Sequence, residues 1–302
     1  MLDGLLGELR LIAKRERCSF IRMSPFWPIP NNQLNQFSIF NYQFSIPQAQ
    51  PSPLHLLAEH VWYLPLKTPD PWNTEPSAVS LQPSACTEES ILMGMRKTTR
   101  NLIRRAEKEG VTVTASDDPV RDTETFIALH DETRRRHGFT PYTNAFFRAQ
   151  VRRFAPREEC SVYLARYQGQ IIASSIHMHA FGETSYHHGA STHAFSKIPA
   201  SYLLQWTAIR SALRRGDNIY NFWGIAPPSD QRSAISDQHE SASNEKRKTR
   251  NEKHPFAGVT LFKTGFGGHL LELPHCMDIP LSWKYSLLTR PFEIMRKWRR
   301  GF

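Results

Sequence analysis

The chain has 302 residues, and its 38 Lys and Arg residues exceed its 28 Asp and Glu residues by 10. This length indicates one large domain or two ordinary ones, and a hydrophobic fraction of 40% with 11% aromatic residues excludes a wholly disordered protein. No run of eighteen apolar residues occurs, which argues against a membrane-spanning helix. The excess positive charge suggests an anionic partner, namely nucleic acid, a phosphorylated substrate or a membrane surface.

The cysteine spacing and the N-terminal sequence indicate the cellular compartment in which the protein is expected. The four cysteines, Cys18, Cys86, Cys160 and Cys276, lie far apart and form no CxxC pair. This spacing argues against a zinc cluster and favours a reduced, cytosolic setting. The N-terminal residues lack the long apolar run and the small-residue cleavage site of a signal peptide.

The first 86 residues contain few regular elements. Leucine and isoleucine spacing predicts a helix over residues 2–15, and SFIRM at 19–23 predicts a short strand. Residues 31–53 are rich in Gln and Asn and are interpreted as an insertion. Residues 60–66 have the composition of another strand. An opening as abrupt as this suggests that the chain starts partway into a domain.

A basic helix is predicted over residues 87–109. Thr87 suits the N-cap position, and Gly110 suits the left-handed residue that ends a helix. Arg96, Arg100 and Arg104 are spaced four apart, as is Lys108, so they would form one stripe suited to phosphates. The alternative is an ordinary solvated helix face.

The pattern beyond residue 110 mixes helices with antiparallel strands. Strands are predicted at 111–114, 161–167, 170–180, 184–188 and 218–223, and helices at 121–136, 144–154 and 202–214. Residues 167–170 suit a hairpin turn. This order indicates an α+β fold rather than regular βαβ alternation, and residues 111–275 would make one acyltransferase-sized domain. Residues 228–253 are polar and charge-dense, which predicts a disordered loop.

A glycine-rich motif, FKTGFGG at 262–268, is the strongest candidate for chemistry. Its glycines would let the backbone approach a ligand closely. Lys263 would supply positive charge where a carbonyl oxygen becomes an oxyanion. The alternative is a glycine-rich turn after a strand, with Lys263 in solvent.

A histidine-rich strand, YHHGAS at 186–191, is the second candidate. Alternation along a strand would place Tyr186 and His188 on one face, lining a pocket. His177, His179 and His193 raise the possibility of a metal, but no HExxH or carboxylate spacing accompanies them, so core or pocket-wall histidines are expected and no metal site is predicted. In the strand that follows, Asn221 is expected as a polar group at the strand end.

Taken in order, several segments resemble the Fem family of aminoacyl-tRNA-dependent peptidoglycan bridge-forming transferases. The resemblance covers about residues 87–290 and is carried by RKTTRNLIRRAEKEGV (96–111), RRHGFTPY (135–142), YHHGAS (186–191), IPASYLLQWTAIRSAL (198–213), YNFWGI (220–225) and HPFAGVTLFKTGFGG (254–268). It implies a GNAT-like, acyl-CoA N-acyltransferase fold with a shortened first domain at 1–86, a linking helix at 87–110, a complete second domain at 111–275 and a basic aromatic tail at 276–302.

The resemblance also implies a function. Such proteins transfer an amino acid from aminoacyl-tRNA, the co-substrate, to a side-chain amine in the peptide of a lipid-linked cell-wall precursor, without a metal or other cofactor. A monomer at the cytosolic face of the membrane is expected, with a peripheral attachment. Lys263 would stabilise the oxyanion or orient the donor, and Phe262 would line the channel. The remaining implied substrate-binding residues are Arg100, Arg104, Tyr142, Tyr186, His188, Asn221, Gly265 and Gly267.

Two departures from the family pattern keep other functions open. Tyr142 stands where an Arg is frequent, and Asn221 stands where an Asp is usual. One alternative is an acyl-CoA-dependent N-acyltransferase, although the segment 197–202 lacks the glycines of a pyrophosphate loop. The other alternative is a non-catalytic basic module that binds RNA or a membrane surface.

Overall fold

A computed structural model describes residues 2–24, 48–55, 57–72, 84–137, 142–227 and 257–300. The chain divides into two compact units, a smaller one formed by residues 1–61 with 271–302 and a larger one formed by residues 62–270. These divisions differ from the predicted ones, because residues 276–302 are part of the smaller unit rather than a separate tail. The predicted loop at 228–253 and most of the predicted insertion at 31–53 lie outside the described residues.

The helices and strands are numbered in chain order. They are α1 (Leu2–Arg15), β1 (Phe20–Met23), β2 (Gln50–Pro51), β3 (His60–Pro65), β4 (Lys67–Thr68), β5 (Ser84–Ala85), α2 (Glu88–Gly94), α3 (Lys97–Lys108), β6 (Thr112–Ala115), α4 (Pro119–His137), α5 (Asn144–Phe154), β7 (Cys160–Tyr167), β8 (Gln170–Ala180), β9 (Glu183–Ser191), α6 (Ala200–Arg215), β10 (Ile219–Gly224), α7 (Ala257–Thr264), β11 (His269–Glu272), β12 (Met277–Pro280) and α8 (Arg290–Arg300). None of the helices in these ranges is long and apolar enough to cross a membrane.

The smaller unit is built on a three-stranded sheet in the order β1-β12-β2, with antiparallel pairing. Arg22 of β1 lies opposite Asp278 of β12, and its guanidinium contacts that carboxylate at 2.7 and 2.8 Å. Glu293 also binds Arg22, and the Tyr285 hydroxyl donates to Asp278 at 2.5 Å. Asp278 is fully buried, so this network holds the C-terminal segment to the N-terminal strand.

The larger unit contains a seven-stranded sheet in the order β11-β3-β10-β9-β8-β7-β6. The pairs among β6, β7, β8 and β9 are antiparallel, and β9 pairs with β10 in parallel. Alternate residues of the strands face different helices. Tyr163 packs in the cluster that contains α6, whereas Val162 packs in the cluster that contains Phe126 of α4 and Phe147 of α5.

Most of the predicted elements of the larger unit are confirmed, including the helix at 144–154 and the four long strands. The turn between β7 and β8 is the predicted hairpin, with Gln168 and Gly169 at φ of 49° and 77°. These elements form where predicted because their signals, periodicity and turn residues, are local.

The predicted continuous helix at 87–109 is wrong, because the structure has two helices with a break at Met95 and Arg96. Both residues have extended backbone, with ψ of 152° and 142°. Met95 is buried, and the Arg96 N–H donates to the Gly265 carbonyl at 2.9 Å. These tertiary contacts outweigh the local helix preference. The predicted ends are confirmed: the Thr87 hydroxyl accepts from the Ser90 N–H at 3.1 Å, and Gly110 is left-handed at φ 85°.

Candidate active site

The candidate site begins where two parallel strands separate. Pairing between β9 and β10 runs from Glu183 and Ile219 to Ser185 and Asn221. Within the described chain the two strands are not paired beyond this point, although β9 continues to Ser191 and β10 to Gly224. Backbone groups at this opening are therefore available to a ligand or to side chains.

A β-bulge in β9 decides which way the candidate side chains point. On β8, Ile176 and His177 are adjacent, but their partners on β9 are His188 and Tyr186, so His187 is the extra residue. The bulge reverses the alternation of faces. Tyr186 lies with His177, at 5.5 Å between ring centroids, whereas His188 packs on Phe147 at 4.9 Å. The prediction that Tyr186 and His188 share one face is wrong for this reason.

Lys263 lies near the end of α7 and is 7% exposed. Its Nζ donates to the carbonyl oxygen of Gly224, the last residue of β10, at 2.6 Å. The same Nζ lies 5.8 Å from the centroid of the Tyr186 ring. Burial lowers the pKa of the Lys263 amine to about 7. The alternative of a solvent-exposed Lys263 after a strand is therefore wrong, since the residue is helical and buried at the strand opening.

A buried chain of hydrogen bonds lies beside Tyr186. Gln205 of α6 accepts a hydrogen bond from the Tyr220 hydroxyl at 2.5 Å. The Tyr220 oxygen in turn lies 2.8 Å from Nε2 of His177, which donates to it because the Tyr220 proton is already used. Burial raises the pKa of Tyr186 to about 12 and lowers that of His177 well below its usual value, so both side chains are neutral.

Gly189 leaves space for the Tyr186 ring. A Cβ atom at Gly189 would lie 1.8 Å from the Tyr186 hydroxyl oxygen, so the ring occupies the space that any larger residue needs. The lack of a side chain at Gly189 therefore allows the Tyr186 ring to lie beside the strand opening.

His188 and Tyr142 lie on the other side of the sheet. His188 packs on the aromatic rings of α4 and α5, and burial lowers its pKa to about 3. Tyr142 is 57% exposed and stacks on Phe146 at 4.5 Å, with its ring 5.5 Å from that of His188. These two residues form an aromatic patch separate from the face that holds Lys263.

Asn221 is fully buried and is held by two contacts. Its Nδ2 donates to Glu183 at 2.9 Å, and its Oδ1 accepts the Trp223 N–H at 2.7 Å. Trp223 is left-handed at φ 66°, a strained conformation for a residue with a side chain. Burial raises the pKa of Glu183. A carboxylate therefore lies beside position 221, although the residue at that position is an amide.

The glycines of the FKTGFGG motif face the protein. A Cβ at Gly265 would lie 2.4 Å from the Thr99 hydroxyl, and one at Gly267 would lie 2.9 Å from the Gly94 carbonyl. Gly267 and Gly268 have φ of 82° and 96°. The close approach predicted for a ligand is thus made by neighbouring chain segments. Phe262 packs between aromatic rings, at 4.9 Å from Tyr202.

The residues of the predicted basic stripe make different contacts. The Arg100 guanidinium donates to the carbonyls of Leu92 and Met93 at 3.2 Å and to that of Met95, so it caps the end of α2. The Arg96 guanidinium donates to Thr264 at 2.7 Å. Arg104 remains exposed on α3. The stripe is not continuous because the break before α3 turns Arg96 away from the helix.

A cavity of about 450 Å³ lies at the start of α6, and we call it the α6 cavity. Its lining combines apolar residues with basic ones: Leu102, Arg105, Ser196, Lys197, Pro199 and Tyr202. The Arg105 guanidinium donates to the Lys197 carbonyl, which ties α3 to the segment before α6. The cavity therefore offers positive charge beside a helix N-terminus.

Several residues of the site were not identified from the sequence. Glu183 starts a strand and Gln205 lies inside an apolar helix, so neither belongs to a recognisable motif. Alternation did place His177 and His179 among apolar neighbours, and both are buried, as expected for core histidines; both are also hydrogen-bonded. The only local signal for Gln205 was a polar residue within a helix stretch that is otherwise buried.

The comparisons with known proteins agree with this geometry. Residues 93–230 match the acetyltransferase (GNAT) domain family. No match is found among curated protein sequences.

Solved structures extend the likeness to nearly the whole chain. The structure of FemX shares 16% identity, covers 95% of this chain and 78% of its own, and has a TM-score of 0.68. The C-terminal domain of a protein from Agrobacterium fabrum, assigned as a lysylphosphatidylglycerol synthetase, shares 14% identity, covers 93% and 75%, and has a TM-score of 0.50. A protein of unknown function from Bacteroides thetaiotaomicron shares 10% identity, covers 92% and 76%, and also has a TM-score of 0.50.

These findings confirm the predicted α+β, GNAT-like fold, and they confirm the resemblance to the Fem family at the level of the fold. The domain match also agrees with the prediction that this protein is a transferase. Over residues 93–230 the chain is similar to the acetyltransferase (GNAT) domain family, and over nearly its whole length it shares the fold of FemX.

Proposed function

We propose that this protein transfers an aminoacyl group from aminoacyl-tRNA to an amine in the peptide of a lipid-linked peptidoglycan precursor. The observation that carries the proposal is the buried Lys263, whose Nζ lies 2.6 Å from the Gly224 carbonyl where β9 and β10 separate. A positively ionisable group at this opening suits a reaction in which an ester carbonyl becomes an oxyanion.

The reaction requires a neutral amine and a held ester. The amine nitrogen attacks the ester carbonyl carbon, a C–N bond forms, and the C–O bond to the tRNA ribose breaks. The amine loses a proton, and the ribose oxygen gains one. Lys263 has a pKa of about 7, so its ammonium and amine forms coexist near neutral pH. In its ammonium form Lys263 donates a hydrogen bond to the oxyanion. The Tyr186 ring lies beside the Lys263 amine.

The charge distribution supports a nucleic-acid donor. The chain carries an excess of 10 positive charges, and Arg104 and Lys108 are exposed on α3. Exposed cations of this kind bind phosphates without sequence preference. Binding of tRNA to this surface should weaken steeply as salt rises.

Helix α8 supports a membrane-surface location for the acceptor reaction. The C-terminal segment alternates Arg and Lys with exposed apolar side chains: Leu287, Leu288, Phe292, Ile294, Met295 and Trp298. Trp298 is 90% exposed. An amphipathic, basic helix with such residues lies in the interface of an anionic membrane.

The transfer proposal is tested with a pool of charged tRNAs and a lipid-linked muropeptide. The acceptor should gain the mass of an amino-acid residue with the wild type, and the gain should fall at least a hundredfold with Lys263→Met. Lys14→Met, at an exposed lysine of α1, is the matched control and should retain full activity. No mass gain with folded wild type, or equal activity of Lys263→Met, would contradict the proposal.

Membrane attachment is tested separately by sedimentation with vesicles. Vesicles with anionic lipid should bind the wild type, and the double variant Phe292→Ala and Trp298→Ala should bind at least tenfold more weakly. Phe181→Ala is the control, since Phe181 is fully exposed in the larger unit. Equal binding of the three proteins would refute the role of α8.

The α6 cavity favours a second candidate function, N-acylation with acyl-CoA. Arg105 and Lys197 would meet the pyrophosphate at the start of α6. Acetyl-CoA should then raise the melting temperature of the wild type, and Arg105→Met should abolish the shift. Absence of any shift would remove this candidate.

A further inference from the structure

A second group of chemically active side chains lies in the smaller unit, on segments that two backbone hydrogen bonds hold together. The Ser52 N–H donates to the Cys276 carbonyl at 2.9 Å, and the Leu273 N–H donates to the Glu59 carbonyl at 2.8 Å. These bonds lie on either side of His275 on one segment and at Ser52 and Glu59 on the other. They hold the two backbone segments side by side, which brings His275 near His55 and Glu59.

Three ligand-type atoms converge there, from His55, Glu59 and His275. The nitrogen and oxygen atoms that they offer all lie within 4.8 Å of one another. His55 Nδ1 lies 2.9 Å from Glu59 Oε1, and His275 Nδ1 contacts the same oxygen. The rings of His55 and His275 are edge to face, with centroids 5.0 Å apart.

The hydrogen bonding of His275 orients it as a ligand. Its Nε2 lies 3.0 Å from the Ser52 carbonyl oxygen, and a carbonyl only accepts, so Nε2 carries a proton. Its Nδ1 faces the Glu59 carboxylate, so a metal ion bound there would take the place of the proton through which the imidazolium pairs with Glu59. A backbone carbonyl on the far nitrogen is also the usual outer support of a metal-binding histidine.

We propose that His55, Glu59 and His275 bind a divalent transition-metal ion, Zn²⁺ being the best match. Imidazole nitrogens with one carboxylate oxygen are ligands that zinc prefers. In a tetrahedral zinc site the ligand atoms lie about 3.3 Å apart, so the observed spacing closes with small side-chain rotations. The side chains of Glu59 and His275 are 28% exposed and that of His55 is 41% exposed, which leaves an entry path and room for a water as fourth ligand.

The ion would join segments that are 216 residues apart in sequence. Since it binds the folded unit and not the separated segments, its binding stabilises that unit in proportion to the logarithm of metal concentration. The site does not include Lys263, and the inference stands whether or not the chain transfers aminoacyl groups.

The test uses the full chain, freed of any affinity tag and of metal by chelation and gel filtration. Isothermal titration with ZnCl₂ should give one tight equivalent, and CoCl₂ should give the visible absorption of tetrahedral Co²⁺. Zn²⁺ should also raise the melting temperature. Binding of either metal should weaken at least tenfold in His55→Ala and in His275→Ala.

His193→Ala is the matched control, because it removes an exposed histidine from the larger unit and should leave binding unchanged. His55 is exposed, so its variant keeps the test valid if His275→Ala fails to fold. Absence of metal binding in the wild type, or equal binding by His55→Ala, would overturn the proposal and leave the group as an ion pair.

Discussion

Replacing Lys263 with Met tests the central feature of the site through protein stability. Methionine keeps most of the length and apolar volume of the lysine stem and removes the amine. Burial lowers the pKa of this amine from 10.5 to about 7 in the folded protein. Because the unfolded chain has the ordinary value, it binds more protons than the folded chain between these two pKa values. The free energy of unfolding of the wild type therefore rises with pH across that window.

The magnitude follows from the two pKa values. At about 1.4 kcal/mol per pKa unit, the full difference between 10.5 and about 7 amounts to about 5 kcal/mol of stability. Below pH 7 the whole penalty of burying the charged amine is present, and above about pH 10.5 it is gone. Between pH 7 and pH 9 the wild type should gain about 2 kcal/mol relative to Lys263→Met.

The assay is urea unfolding of both proteins at pH 7 and pH 9, followed by tryptophan fluorescence. Other titrating groups contribute equally to both proteins and cancel in the double difference, since burial alone lowers the pKa of Lys263. The Lys14→Met protein should show the same pH dependence as the wild type. Parallel pH dependence of the wild type and Lys263→Met would refute the argument that the amine is buried at the strand opening.

Further predictions concern packing and polar contacts. Gly189→Ala should cost about 2 kcal/mol and lower activity, because its Cβ would lie 1.8 Å from the Tyr186 hydroxyl; an unchanged urea midpoint would contradict the packing. Asp278→Asn should cost about 3 kcal/mol by removing a fully buried carboxylate from Arg22, and a urea midpoint equal to that of the wild type would contradict the role of this contact. Arg100→Met should cost about 1–2 kcal/mol through the lost cap of α2, whereas a binding role alone predicts unchanged stability.

The family resemblance and the local sequence patterns predicted the fold and singled out Lys263. The contacts that each candidate residue makes depend on residues distant in sequence, so they were not predicted. The glycine-rich motif around Lys263 pointed to this residue, but the motif does not predict that Lys263 is buried against Gly224. Arg100 shows the same limit, since its spacing indicated a phosphate-binding stripe and its guanidinium caps a helix instead. Substrate-binding roles of Arg104, Tyr142 and Asn221 stay predictions.

The sequence by itself determined the features that depend on residues close together in the chain. The helix at 144–154, the hairpin at Gln168 and Gly169 and the cap at Thr87 all follow from apolar periodicity, turn residues or a local hydrogen bond.

Only the tertiary structure decided what depends on distant partners. The bulge at His187 sends Tyr186 and His188 to opposite faces, because the register is set by pairing with β8. Burial at a strand opening, set by packing between segments far apart, lowers the pKa of Lys263. Glu59 and His275 meet across 216 residues of chain, a proximity that no spacing in the sequence encodes.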